Sequence, residues 1–165
     1  MDTTFLIAID GPDKPGILNE LSSTISQHNG HWLTSKSNNL DGHFFALIRV
    51  SVEQSAFEPL QQQLLALDQL NVQIHQSPLG QQGDHSYHWN IESDDHPSLI
   101  QDITTIITNH GANIDSFNNH RIAIPDSGLT AFTGDLLISG AASLDRHQIQ
   151  QELENIHGQI VIRAV

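Results

Sequence analysis

The chain has 165 residues, 38% of them hydrophobic and only 5% aromatic, which is enough for one domain or two small ones whose cores rest on Ile, Leu and Val. It has no cysteine, which excludes disulfides, thiolate zinc sites and cysteine nucleophiles. Nineteen acidic against six basic residues give a formal net charge of −13, and Lys14, Lys36, Arg49, Arg121, Arg146 and Arg163 are dispersed with no two adjacent. A surface that gathers phosphates needs several cations on one face, so direct nucleic-acid binding is not expected.

Met1-Asp2-Thr3 is not a basic leader, and no apolar run approaches the length of a bilayer span. A cytoplasmic protein without a membrane anchor is the expectation.

In chain order, Thr4 to Ile9 is a short apolar run that reads as a strand. The loop Asp10-Gly11-Pro12-Asp13-Lys14-Pro15-Gly16 follows, and then a helix to His28 with Ile17, Leu18, Leu21 and Ile25 on one face. Pro15 suits the first helical position, where its missing N–H costs nothing, and Asp10 or Asp13 can accept from free amides as a cap. Gly16 lets another group approach the backbone. The amides of Gly16, Ile17 and Leu18, with the helix dipole behind them, suit a small anion, and Asp10 and Asp13 can pair with an ammonium group beside it. Both halves together fit a zwitterion such as a free amino acid; ordinary capping is the competing reading of the same loop.

Asn29-Gly30 ends the helix. His31 to Asn39 reads as a mixed strand, Leu40-Asp41-Gly42 as a hairpin turn, and Phe44 to Val52 as the strongest strand of this half. A helix over Gln54 to Leu70 carries Phe57, Leu60, Leu64 and Leu67, and Asn71 to Gln76 closes a βαββαβ series. The polar stretch Ser77 to Asp84, rich in Gly, Gln and Pro, reads as a linker.

The series then repeats. Ser86 to Ile91 is a strand, Glu92 to Ser98 a loop, and Leu99, Ile100, Ile103 and Ile107 repeat the spacing of the first helix. His110-Gly111 is the stop, Ala112 to Ile124 a strand, Pro125-Asp126-Ser127-Gly128 a turn, and Leu129 to Ser139 a strand that Gly134 interrupts, by a bulge or a close backbone approach. Ser143 is the expected N-cap of a helix carrying Ile149, Leu153 and Ile156, His157-Gly158 its stop, and Ile160 to Ala164 the last strand. Each series implies a ferredoxin-like unit, a four-stranded antiparallel sheet with two helices on one face, giving an α+β chain of two tandem domains. The boundaries are 1–77, a linker over 78–84, and 85–165.

The loop Asp10 to Leu18, with its Asp-x-Pro-Gly-Ile core, resembles the opening of an ACT domain. Ser35 and Asn38 recur as Ser116 and Asn119, and the Pro125 to Gly128 turn resembles the longer hairpin of a second domain. From Thr3 to Ala164 the chain resembles a tandem ACT-domain protein and, more narrowly, the glycine cleavage system transcriptional repressor family. That resemblance implies a non-enzymatic regulator, without a cofactor, controlled by a small amino acid such as glycine. It implies a ligand site at Asp10, Gly11, Asp13, Lys14, Pro15, Gly16, Ile17 and Leu18, with Asn38 as a side-chain contributor. It implies action on a separate transcription activator protein, in agreement with the acidic balance, and pairing of ACT units within one chain or in a homodimer.

The second loop departs from the first. His96-Pro97-Ser98 replaces Lys14-Pro15-Gly16, Ser98 adds a side chain where close approach is needed, and Asp94 and Asp95 read as caps. An asymmetric pair is expected, with one sensing loop and one structural loop.

Other chemistries have weaker support. His85 and His88, three apart in a strand, point to opposite faces, and His28 and His31 flank a helix stop, so neither pair builds a metal site. An acylphosphatase would need an arginine in the first loop, where only Lys14 stands, and Ser22 and Ser23 have no base beside them. An RNA-binding domain would need exposed aromatics on its central strands, whereas the Phe44-Phe45 strand is expected to place one ring in the core.

Overall fold

A computed structural model describes residues 1–76, 84–156 and 160–165. The chain divides into two compact units, Met1–Gly80 and Gln81–Val165.

In the first unit the order is β1 (Asp2–Pro12), α1 (Ile17–Gln27), β2 (His31–Leu40), β3 (His43–Glu53), α2 (Gln54–Leu65) and β4 (Asn71–His75). The strands form one antiparallel sheet in the order β2-β3-β1-β4. Alternation explains the two sheet faces. Phe5, Ile7 and Ile9 of β1 and Phe44, Ala46, Ile48, Val50 and Val52 of β3 turn inward, where they meet Ile17, Leu21 and Ile25 of α1 and Phe57, Leu60 and Leu64 of α2. Phe45 and Leu47, the odd members of β3, stay 45% and 46% exposed on the other face. One ring of the Phe44-Phe45 pair therefore belongs to the core.

The second unit repeats the plan with β5 (His85–Asp94), α3 (Leu99–Asn109), β6 (Asn113–Ala123), β7 (Thr130–Gly140), α4 (Arg146–Glu154) and β8 (Val161–Ala164), in the sheet order β6-β7-β5-β8. Its core is separate, built from Trp89, Ile91, Phe132, Leu136 and Ile138 of the sheet under Leu99, Ile103, Ile107, Ile149 and Leu153 of the helices. The two tandem ferredoxin-like βαββαβ units with helices on one face are thus present.

The punctuation follows local chemistry. Asp41 and Gly42 both have positive φ, 50° and 76°, as a two-residue type I′ hairpin requires. α1 stops where Asn29 turns left-handed at φ 54°, and its last carbonyls are met by Asn29 N (2.9 Å to Ser26 O) and Gly30 N (3.0 Å to Ile25 O). α3 stops by the same device, with Gly111 at φ 71° and Ala112 N 3.2 Å from Ile107 O.

Several sequence expectations are corrected. Pro15 is not the first helical residue: it lies in a turn, and α1 begins at Ile17 after Gly16, whose φ of 93° no proline-led helix start would contain. Neither Asp10 nor Asp13 caps α1. α2 ends at Leu65 rather than Leu70, because Gln69 takes a left-handed φ of 65° and turns Leu70 back towards Gly11. The cap of α4 is Asp145, whose Oδ1 accepts from His147 N (2.9 Å) and Gln148 N (3.1 Å), rather than Ser143. At Gly134 the close approach holds: a Cβ there would lie 2.9 Å from Phe117 Cε2, while the register shift falls in β6 between Ile114 and Ser116. The matching shift in β2, between Trp32 and Thr34, aligns Ser116 with Thr34 rather than Ser35, one residue from the sequence pairing. The Ser77–Asp84 linker, apart from its last residue, and the His157-Gly158 stop lie outside the described residues.

Candidate functional site

The β1–α1 loop, the far end of β2 and the start of α1 enclose a cleft of about 370 Å³, lined by Asp13, Lys14, Gly16, Ile17, Leu18, Ser37, Asn38, Asn39 and Phe44. The loop is held against the β2–β3 hairpin by the amide of Asp13, which donates to Gly42 O at 2.9 Å. Ile17 anchors the start of α1 in the core, while Leu18 is 45% exposed at the rim.

Gly16 shapes the entrance. Its φ of 93° and ψ of 0° are left-handed, a conformation in which a Cβ costs about 1–2 kcal/mol. Nothing lies within 4 Å of the place where that Cβ would stand, so the backbone here is open. No side chain caps α1, and its first backbone bond runs from Glu20 N to Gly16 O at 2.9 Å. The amides ahead of Glu20 have no helical acceptor, and the positive end of the helix dipole is uncovered.

Two charges of opposite sign border this helix end. Asp13 accepts a hydrogen bond on Oδ2 from Asn39 Nδ2, a neutral donor that leaves the carboxylate charge in place. Lys14 lines the same cleft and makes no ion pair among the described residues. Asn38 accepts on its Oδ1 from the amide of Asn39 at 2.8 Å, and its side chain lines the cleft. The cleft thus offers a carboxylate for an ammonium group, and amides, a cation and a carboxamide for a carboxylate.

Of the nine residues expected from sequence, six line the cleft: Asp13, Lys14, Gly16, Ile17, Leu18 and Asn38. Asp10 faces elsewhere. Its Oδ1 accepts from Asn71 Nδ2 at 2.9 Å and its Oδ2 lies 3.5 Å from His43 Nε2, across the strands that flank β1. Gly11 is buried, and a Cβ there would stand 2.6 Å from Gln69 O, so it serves the packing of β1 against the turn before β4. Pro15 is exposed in the turn and outside the cleft lining. Sequence reasoning missed Ser37, Asn39 and Phe44. Asn39 and Phe44 face each other across the Asp-Gly hairpin, so the hairpin signal was the clue that places them together.

The second unit answers differently at the same points. Asp95 N donates to Thr130 O at 3.0 Å, as Asp13 N does to Gly42 O. Asp94 and Asp95 do not cap α3; Asp95 instead binds Arg121 of β6. Two clefts of this unit border that pair without being lined by it, one between α3 and α4 beside His96, Ser98, Asp102 and Glu152, the other at the sheet end beside Glu92, Asp94, Ile122, Phe132 and Val161. Among the described residues no group of three His, Cys, Asp or Glu side chains could hold a metal ion, and no helix is long and apolar enough to cross a membrane. His28 binds Gln63 at 2.6 Å and His88 binds Asp135.

The architecture is two ferredoxin-like βαββαβ units in tandem, with an open loop at the head of the first helix. Residues 3–77 match the ACT domain family, and the second unit repeats the same βαββαβ fold. ACT domains are non-catalytic regulatory modules. A comparison with curated proteins returns no match. Among solved structures, the chain is similar to an unknown protein from Galdieria sulphuraria, at 17% identity and TM-score 0.85, over 100% of this chain and 99% of that one. It is also similar to a candidate glycine cleavage system transcriptional repressor, at 17% identity and TM-score 0.74, over 100% and 98% of the two chains. At that identity the likeness is one of fold.

Proposed function

We propose that this protein is a sensor of a small amino acid, glycine foremost, which binds at the β1–α1 cleft and represses transcription of the glycine cleavage system through a protein partner in the cytoplasm. Residues 1–77 are the sensing domain and 85–165 its companion. The observation that carries the reading is the juxtaposition of Asp13 and Lys14 beside the uncapped start of α1, in one cleft. A zwitterion needs both signs within a few ångströms, and here both stand on one loop. The structural likeness over the full chain to a candidate repressor of that system supports the regulatory role, as does a net charge of −13 that turns the chain away from DNA and towards a protein. Exposed Phe45 and Leu47 give the first unit an apolar strip on which a protein partner can rest.

Binding would couple to that partner by stabilising the loop in one arrangement. Glycine has five non-hydrogen atoms, so a ceiling of ~1.5 kcal/mol per atom limits its affinity to the micromolar range at best. That suits a metabolite present at high concentration. Ligand at a hundred times its Kd stabilises the bound unit by about 2.7 kcal/mol, which a melting curve reads as several degrees. A thermal-shift panel of amino acids should therefore raise Tm with glycine or L-serine in the wild type and not in Asp13→Ala. If no amino acid shifts the wild type at millimolar concentration, the chain is instead a ligand-free protein-interaction module.

A further inference from the structure

The two units share one loop clamp and load it with opposite chemistry. Asp13 and Asp95 leave their backbones at matching points, since their amides bind Gly42 O and Thr130 O on the adjoining hairpins. The strand residue that reaches each carboxylate also matches. Asn39 pairs in register with Phe44 in the first unit, and Arg121 with Phe132 in the second.

Asn39 is neutral, so Asp13 keeps its charge and one oxygen without a partner among the described residues. Arg121 is a cation, and its Nε lies 3.0 and 2.9 Å from the two oxygens of Asp95. Its guanidinium carbon stands 5.8 Å from the centre of the Phe132 ring. That ring and its first-unit equivalent, Phe44, each line a cleft of their own unit. The guanidinium therefore satisfies the carboxylate that would select an ammonium group.

The anion side is altered as well. Ser98, at the position of Gly16, has φ −95° instead of the left-handed conformation, and its hydroxyl donates to Asp102 Oδ2 at 2.8 Å. Asp102 stands in the first turn of α3 as Glu20 stands in that of α1, so the change on this side lies in the Ser98 side chain and its backbone conformation.

Resting on the sensing reading above, we infer that Arg121 is an internal cation that closes the second unit to ammonium-bearing ligands, so that the protein binds one small amino acid per chain. The Asn39/Arg121 difference is then the determinant that separates an open site from a self-occupied one.

Isothermal titration calorimetry of the full chain with glycine and with L-serine tests this. The wild type should bind one equivalent. Arg121→Asn should gain a second, weaker equivalent, and Asn39→Arg should lose binding at least tenfold by imposing the second unit's arrangement on the first. Both side chains are exposed, and the buried Trp89 reports by near-ultraviolet circular dichroism that the second unit remains folded in Arg121→Asn. Two equivalents in the wild type, one in folded Arg121→Asn, or undiminished affinity in Asn39→Arg would overturn the inference while leaving the sensing reading in place. No heat from the wild type with either amino acid would overturn the sensing reading itself.

Discussion

Arg121 holds both oxygens of Asp95 through one nitrogen, at 3.0 and 2.9 Å, in the place where the first unit sets a neutral Asn39 against Asp13. The same backbone clamp is thus completed by an ion pair in one unit and left charged in the other. On the sensing reading proposed above, this difference in side-chain chemistry divides a self-satisfied loop from one able to receive a ligand.

Gly16→Ala should cost about 1–2 kcal/mol, because the strain is conformational and the space around the new Cβ is empty. Urea unfolding should show that loss with an unchanged slope. Full stability in the alanine variant would mean that the left-handed start of α1 is not required.

Gly11→Ala should act through packing. A Cβ at that point would lie 2.6 Å from the backbone oxygen of Gln69 and 2.9 Å from Leu70 Cδ2, so the turn before β4 has to move. A destabilisation of about 1–3 kcal/mol is expected, as for overpacked cores. Amino-acid affinity measured below the melting transition should stay within twofold of the wild type.

Capping in the second unit separates two neighbouring residues. Asp145→Ala should lose about 1 kcal/mol, since its carboxylate accepts from two amides at the head of α4. Ser143→Ala should stay within about 0.5 kcal/mol, as expected of a residue outside the cap. Chemical denaturation of the two variants side by side distinguishes them.

Leu21→Ala should be costly. Leu21 is fully buried between α1 and the first sheet, and removing such a side chain costs about 2–5 kcal/mol. A drop below 1 kcal/mol would show that the core around α1 is looser than the structure has it.

The repeated architecture was legible because the signals are periodic. Ile17, Leu21 and Ile25 recur as Leu99, Ile103 and Ile107, and all six are buried. The Asp41-Gly42 hairpin and the two helix stops follow from residue types that accept positive φ. What sequence could not show was direction. Asp10 and Asp13 read alike as carboxylates near a helix, yet Asp10 still belongs to β1, whose register turns it to Asn71, while Asp13 lies just beyond the strand and faces the cleft. Pro15 and Gly16 read as a proline-led helix start, but the left-handed glycine moves the helix two residues on. The hairpin signal set Asn39 opposite Phe44, but nothing in the sequence paired Asn39 or Arg121 with its loop carboxylate, because those contacts exist only once β2 and β6 are laid beside their loops.

The sensing cleft is tested most directly by a backbone amide titration: two-dimensional ¹⁵N–¹H spectra of the full chain with increasing glycine. The amides of Gly16, Ile17 and Leu18 should shift saturably, and the shifts should vanish in Asp13→Ala. Saturable shifts confined to residues away from the β1–α1 loop, or none up to tens of millimolar, would contradict the site.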